Sequence, residues 1–562
     1  MPARPWLKNY DAGVPSTIEY PAVPVYHFLE MNALRMPDKT AIIYQPAPAG
    51  YASSRMTYRE VNDLSNRLAA ALYNLGVRKG DRVLLLLVNS PQFVISYYAV
   101  LKLGAVVVAT NPLYSQREME HQAIDCGAKI AIVMSRFYPL IKKIQENTAL
   151  ENIIVTNIKD YMPSLLRLLF TLTKERKSGD RVTVASDDYS FQELLSRYKA
   201  NQRPQVPIVP DDLALLQYTG GTTGVPKGAM ALHRNLVANT LQIRAWIHDT
   251  KEGEEIVLGA IPLFHVYGLI TILHYGIAFG ATLVLLPDPR DINNLFYIIE
   301  HHRPSIFPGV PTLYNAINNH PQAKQYNLKS IRACISGSAP LMAETQKTFE
   351  ALTGAALREG YGLSEAPTAT HCNPLSGENR HGSIGLPFPD MDCKIVSAAD
   401  GITELSPGEV GEMVIKGPQV FAGYWNMPAE TSAVLKEGWL FTGDLAKMDK
   451  DGYFYIVDRK KEMIISGGYN VYPREIEEVI QEHPKVLEVA AGGISDPYRG
   501  ETVKVWVVLK PGEALTAEEV LEFCKDKMAK FKVPTQVEFR NELPKTTVGK
   551  ILRRVLIDQE KR

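Results

Sequence analysis

A chain of 562 residues exceeds what one hydrophobic core normally supports, so at least two domains are expected. Lys plus Arg and Asp plus Glu each total 61, which gives a nucleic-acid binder no electrostatic footing, and 46% hydrophobic with 22% charged residues is ordinary for a globular protein. Cys126, Cys334, Cys372, Cys393 and Cys524 are scattered, with no metal-ligand spacing, and the amino terminus lacks the apolar core of a secretory signal; both argue for a reducing, cytoplasmic setting.

Apolar, β-branched runs bounded by turn residues at Arg82–Val88, Ala105–Ala109, Ile130–Met134 and Ile153–Thr156 read as buried strands. Helical periodicity at Tyr58–Leu75 and Gln92–Leu103 alternates with them, as in parallel α/β units. Residues Tyr161–Arg181 mix Leu165, Leu166, Leu168, Leu169, Phe170 and Leu172 with Arg167, Lys174, Arg176, Lys177 and Arg181. Such a segment suits peripheral contact with a membrane surface, the alternative being that the leucines cover a neighbouring helix while the charges face water.

The strongest local signal spans Tyr218–Gly228, after the apolar strand Leu213–Gln217, and packs four glycines and three threonines beside Lys227. Glycines let backbone N–H groups approach phosphate oxygens, and Thr219, Thr222 and Thr223 add donors, so the loop reads as a phosphate cradle. It matches neither the Walker pattern nor the dinucleotide fingerprint. The stretch Ile256–Pro287 lacks Asp, Glu, Lys and Arg, but Pro262, Gly268, Gly276 and Gly280 interrupt it; a buried strand, helix and strand are expected rather than a membrane span.

Further on, Glu359–Glu365 places Tyr361, Ser364 and Glu365 in one loop, suited to stacking on a base and to holding Mg²⁺ against phosphates. Asp444, after Thr442 and Gly443, could accept hydrogen bonds from a ribose diol, although Thr-Gly-Asp is also a common turn. Gly452–Val457 reads as a strand, and the charged run Asp458–Glu462 marks a domain boundary. Beyond it, a helix opening at Pro473, strands at Val486–Gly492 and Thr502–Leu509, and a helix from Ala517 with a Thr516/Glu519 capping box describe a small α+β unit. Near the end, the basic loop Pro544–Lys550 suits an anionic transition state, or is a solvated tail.

Taken in order, Tyr218–Gly228, Pro262–His265, Ser336–Leu341, Gly360–Glu365, Phe441–Asp444, Asp458–Lys461, Gly467–Asn470 and Lys545–Lys550 resemble the adenylate-forming superfamily of acyl-CoA ligases, luciferases and peptide-synthetase adenylation domains. Gly417–Val420, Gly423–Trp425, Val457–Met463, Asn470–Glu477, Trp6–Tyr10 and Asn111–Glu118 look most like bacterial long-chain fatty acid CoA ligases. The resemblance runs from about Tyr26 to Arg554.

It implies an α/β fold: a large domain of stacked α/β subdomains plus a β-barrel-like subdomain over 1–457, a hinge at 458–461, and a small mobile α+β domain over 462–562. It implies ATP, Mg²⁺ and coenzyme A, with a fatty acid carboxylate attacking the α-phosphate and the coenzyme thiol then displacing AMP. No nucleic acid takes part, and a homodimer is common in such families. By position, Thr219, Gly220, Gly221, Thr222, Thr223, Gly224 and Lys227 would hold the β- and γ-phosphates. Gly337, Ser338, Ala339 and Pro340 would wall the adenine with Tyr361, and Glu359, Gly360 and Gly362 would belong to the same nucleotide site; Ser364 would meet the α-phosphate and Glu365 the Mg²⁺. Asp444 and Arg459 would bind the ribose, Lys550 would bridge carboxylate and α-phosphate, and Gly467, Gly468 and Tyr469 would line the pantetheine tunnel. Lys461 falls at the hinge, where its side chain is as readily a solvated linker charge. His265 and Gly268 would border the acyl pocket, a packed core histidine being the alternative for the former. Rival readings are a medium-chain or aryl-CoA ligase, an acyl-AMP ligase loading a carrier protein, and a luciferase-like oxidoreductase.

Overall fold

The computed structural model describes residues 4–46, 53–219, 226–466, 469–496, 500–525, 527–546 and 549–560. The chain divides into two compact units, one of Leu7–Met391 with Lys416–Leu435, the other of Met1–Trp6, Asp392–Ile415 and Lys436–Arg562.

The larger unit is α/β, as its alternation of buried strands and helices predicts. Its main sheet runs Tyr189–Ser190, Asn152–Thr156, Ile130–Met134, Arg82–Leu86, Val106–Ala109, Leu213–Thr219 and Lys227–Leu232 in spatial order. All neighbours are parallel except the last two, which form an antiparallel pair. The inner strands are covered on both faces, hence unbroken apolar runs such as Ile130–Met134, every residue of which is buried. A second sheet joins Ile256–Gly259, Thr282–Leu285, Thr40–Tyr44 and Ser54–Thr57. A third joins Ala333–Ser336, Ala356–Leu363, Ala366–Cys372 and Leu386–Pro387, and Ile306 bridges the second and third by pairing with Val257 and Ala333. Leu258, Val284, Phe296, Phe307, Tyr314 and Phe349 fill the core that these two sheets share.

The uncharged stretch behaves as a core element. Its strands Ile256–Gly259 and Thr282–Leu285 flank the helical segment Val266–Ala278, whose residues 269–274 form a fully buried π-helical turn. Among the described residues no helix is long and apolar enough to cross a membrane. The Tyr161–Arg181 segment departs from the covering alternative: in the helix Ser164–Thr173 only Leu166 is buried, and Leu165, Leu168, Leu169 and Leu172 face outward.

In the smaller unit, Asp392–Val396, Gly411–Lys416, Trp439–Met448 and Phe454–Arg459 are successive neighbours in a mainly antiparallel sheet. The strand expected at Gly452–Val457 is displaced to Phe454–Arg459, because Gly452 closes the preceding turn at φ +90° and Arg459 pairs in register with Asp444. A second sheet, Tyr469–Val471, Ile464–Ser466, Gly500–Leu509 and Val486–Asp496, with Gln536–Phe539 beside Gly500–Leu509, packs on the helices Pro473–Gln481 and Ala517–Lys525. The predicted cap is present: the Thr516 N–H donates to Glu519 Oε2 at 2.7 Å, the Glu519 N–H donates to Thr516 Oγ1 at 3.2 Å, and Leu515 packs in the same cluster as Val520.

Candidate active site

In the larger unit, Thr219 ends one strand and Lys227 opens the next, and the two are register partners; Gly220, Gly221, Thr222, Thr223 and Gly224 lie outside the described residues. The base of this loop is braced from the side. Tyr218 is buried and its hydroxyl donates to Asp125 Oδ2, while Trp425 Nε1 donates to the Asp125 carbonyl at 3.1 Å. The chain at 421–425 runs along the second strand, with the Trp425 N–H on the Gly228 carbonyl at 2.8 Å and the Met230 N–H on the Gly423 carbonyl at 2.9 Å.

That bracing segment delivers Tyr424, whose motif was noted in the sequence without a role. Its hydroxyl donates to Glu365 Oε1 at 2.7 Å, and the Lys227 ammonium sits 5.2 Å from its ring centroid, within cation–π range. The expected metal carboxylate and the expected phosphate cation therefore share one tyrosine. The Glu365 carbonyl also accepts the Phe421 N–H at 2.9 Å. Nothing in the spacing of the sequence announces Tyr424, because Glu365 is 59 residues away.

Glu359 and Ser336 are register partners on parallel strands, which sets the Gly337–Pro340 loop beside Gly360–Leu363; the loop expected at Glu359–Glu365 is strand as far as Leu363, because these residues pair with Ala366–Cys372, and the turn holds Ser364 and Glu365 alone. Ser338 holds φ +70°, a left-handed backbone that non-glycine residues rarely adopt and that clusters at functional sites. Tyr361 pairs with His371 across the following hairpin and meets its ring edge-on at 6.0 Å. Gly362 has no alternative: a Cβ there would fall 1.5 Å from the Thr368 carbonyl oxygen. Ser364 follows in the turn, half-buried like Glu365. His265 accepts the Tyr267 N–H at 3.2 Å, capping the short helix that holds Gly268; a Cβ on Gly268 would fall 2.4 Å from the Pro262 carbonyl oxygen. Burial pulls His265 down to about 4, so it is neutral at physiological pH.

In the smaller unit, Asp444 is buried and Arg459 Nε lies 3.1 Å from its Oδ1. Gly443 turns at φ +72° with its N–H on Glu412 Oε1 at 3.1 Å, and Lys460 Nζ donates to the other oxygen of Glu412 at 2.9 Å. Lys461 is exposed. Gly467 and Gly468 lie outside the described residues, and Tyr469 begins the strand Tyr469–Val471.

Lys550 is tied to Thr546: the Thr546 N–H donates to the Lys550 carbonyl at 2.8 Å and the Lys550 N–H to Thr546 Oγ1 at 3.1 Å. Burial, then the nearby Arg459 charge, push its ammonium down to about 8, against the pull of Glu462 and Asp444. The fold thus gathers Lys550, Asp444 and Arg459, which are far apart in sequence. Arg553 anchors this corner: it grips Glu477 through Nε at 2.8 Å and Nη2 at 2.5 Å, lies 3.4 Å from Asp458 Oδ1, and pairs with Glu462. Asp458 in turn accepts the Arg474 N–H at the start of the helix Pro473–Gln481, at 2.9 Å. Burial raises its carboxyl to about 6.

All five cysteines are free and buried, and burial pushes every one of their thiols up, Cys126 and Cys524 to about 11 and Cys372 to about 12. None offers a ready thiolate nucleophile. Glu365, half-buried and held by the tyrosine that also carries Lys227 over its ring, fits a magnesium ion that takes one carboxylate and otherwise phosphate oxygens and water. Among the described residues no group of three or more His, Cys, Asp or Glu forms a metal cage.

The chain is 45% identical to a long-chain-fatty-acid–CoA ligase of Bacillus subtilis over 559 residues, covering 99% of this chain and 98% of that one. A long-chain-fatty-acid–CoA ligase of Escherichia coli is 39% identical over 558 residues, with the same coverage. Among solved structures, ATP-bound MatB from Rhodopseudomonas palustris superposes with a TM-score of 0.84 at 29% identity, covering 96% of this chain and 99% of that one. Residues 29–425 match the model of the AMP-binding enzyme family and residues 475–550 that of the AMP-binding enzyme C-terminal domain. With both models met in order along one chain, this protein belongs to the AMP-binding, adenylate-forming enzyme family.

Proposed function

We propose that the chain is an ATP-dependent, AMP-forming ligase that joins long-chain fatty acids to coenzyme A. The observation that carries the reading is the company Lys550 keeps: a lysine tied to Thr546 through its own backbone, within electrostatic reach of the buried Asp444 and its half-exposed partner Arg459, in a chain 45% identical to a fatty acid CoA ligase. A fatty acid carboxylate oxygen attacks the α-phosphorus of ATP and pyrophosphate leaves; the coenzyme sulfur then attacks the acyl carbon, and AMP leaves with the electron pair of the C–O bond.

Each step needs charge neutralised and groups positioned, and no covalent enzyme intermediate. Lys550 would bridge the carboxylate and the α-phosphate, and Ser364 would meet that phosphate. Lys227 and residues 219–224 would hold the β- and γ-phosphates. Mg²⁺, held through Glu365, would neutralise phosphate charge. Gly337–Pro340 and Tyr361 would wall the adenine, Asp444 and Arg459 would take the ribose, and His265 and Gly268 would border the acyl chain. Residues 458–461 would act as a hinge before the small domain 462–562, with Gly467–Tyr469 lining the coenzyme path. A cytoplasmic location with peripheral membrane contact, and a homodimer, complete the reading.

The test is product identity by mass spectrometry, with ATP, Mg²⁺, saturated fatty acids of increasing length, and coenzyme A present or absent. Acyl-CoA and AMP, most abundant with long chains, are expected. An acyl-adenylate that accumulates and never reaches coenzyme A would replace this reading with a carrier-loading one.

A further inference from the structure

The helix Ser164–Thr173 turns its apolar face away from the protein. Leu165, Leu168, Leu169 and Leu172 follow the spacing of one helical face and are 68%, 56%, 43% and 73% exposed. Such a continuous leucine ridge on a protein surface normally meets a partner.

The charges around it are sorted. Residues 161–181 contain two acidic side chains, and both are buried and paired: Glu175 with Lys159 at 2.6 Å and Arg181 at 3.4 Å, Asp180 with Arg136 at 2.6 Å. Lys174, Arg176 and Lys177, by contrast, are exposed directly after the ridge. The segment therefore shows the outside only positive formal charge beside its leucines. It is also held firmly, by the buried Leu166, by Arg167 on the Asp160 carbonyl at 3.1 Å, by Lys159 on Thr171 Oγ1 at 3.0 Å, and by Arg181 on the Thr171 carbonyl at 3.1 Å. A rigid helix with leucines on one side and lysine and arginine at its end suits the boundary between headgroups and acyl chains of an anionic bilayer.

We propose that the helix Ser164–Thr173, with the basic turn that follows it, is the element that seats this chain on an anionic lipid bilayer. The inference rests on the ligase reading for its purpose, since a fatty acid substrate partitions into the same bilayer; the seating itself is a matter of this surface alone.

The test is flotation of the full chain with phosphatidylcholine vesicles and with vesicles containing phosphatidylglycerol. The chain is expected to float with the latter, and L165S/L168S/L172S to bind them on the order of 100-fold more weakly. K174Q/R176Q/K177Q should lose about as much, and salt should weaken the parent chain in the same way. Placed in the ridge, L168W should show blue-shifted fluorescence on anionic vesicles and quenching by brominated acyl chains. Because the ridge is exposed, all three variants should form acyl-CoA from detergent-dispersed fatty acid at the parental rate.

Undiminished flotation of the leucine variant overturns the inference, as does an L168W spectrum that vesicles do not move. So does a ridge that proves to join copies of the chain, seen as a dimer lost in the leucine variant while no form floats. A chain that floats as described but makes no acyl-CoA removes the ligase reading and keeps this one; a chain that ligates and never floats does the reverse.

Discussion

Proposed as the cation at the α-phosphate, Lys550 is where the reading is tested at the scale of single residues. An ammonium aimed at the α-phosphate matters while the carboxylate attacks and matters little once the thiol is the nucleophile. K550A should therefore slow adenylate formation by about 10²-fold or more, and transfer from preformed acyl-adenylate to coenzyme A by far less. Pyrophosphate exchange and single-turnover thioester formation separate the two, and equal losses would remove Lys550 from the first step. Because its ammonium titrates near 8, adenylation should fall about tenfold per pH unit above that value as the charge is lost. K550R, whose guanidinium stays protonated, should be slower but lack this alkaline limb. Tyr424 offers a second test. Y424F keeps the ring under Lys227 and removes the hydroxyl on Glu365, so the Mg²⁺ concentration for half-maximal pyrophosphate exchange should rise about tenfold. An unchanged Mg²⁺ requirement would leave Tyr424 as packing alone.

Elements far apart in sequence meet at Arg553. It opens the helix Arg553–Glu560 and binds Glu477 on the helix Pro473–Gln481, Asp458 at the end of a strand, and Glu462 after it, with its own side chain 18% exposed. Removing the cation leaves three carboxylates facing one another, so R553M should cost about 3–5 kcal/mol. Denaturant unfolding followed through the buried Trp506 measures this, and a loss below about 1 kcal/mol would show a solvated cluster of little weight. Much at this scale was legible beforehand. Ile130–Met134 is legible to the residue, because a strand covered on both faces must be a closed apolar run. The helix from Ala517 is legible through its cap, which is local chemistry. What escaped is non-local. The strand Phe454–Arg459 runs on into a charged sequence because Asp444, on the neighbouring strand, neutralises Arg459. Tyr424 and Arg553 draw their significance from partners 59 and 76 residues away. The leucines of Ser164–Thr173 were legible as apolar, but periodicity does not say which side of a helix meets the protein.

At the scale of the whole molecule, one chain must serve two half-reactions with opposed needs: the first wants water excluded and a cation at the α-phosphate, the second wants a path for a thiol. A turn about residues 458–461 would let the same chain meet both. The local chemistry suits that role. Asp458 is fastened to the helix behind it through the Arg474 N–H, and Lys460 to the turn before it through Glu412 and the Gly443 carbonyl, whereas Lys461, the residue after these anchors, is exposed. Proline at 461 would fix φ near −65° and restrict residue 460 as well, so K461P should hold the chain to one arrangement. If that is the adenylating one, pyrophosphate exchange stays within about threefold of the parent while transfer to coenzyme A from preformed adenylate falls about 10²-fold or more. If it is the other, the losses reverse. Equal and small losses in both half-reactions, with unfolding unchanged, would mean that the chemistry needs no turn at Lys461 and that one arrangement of the chain suffices.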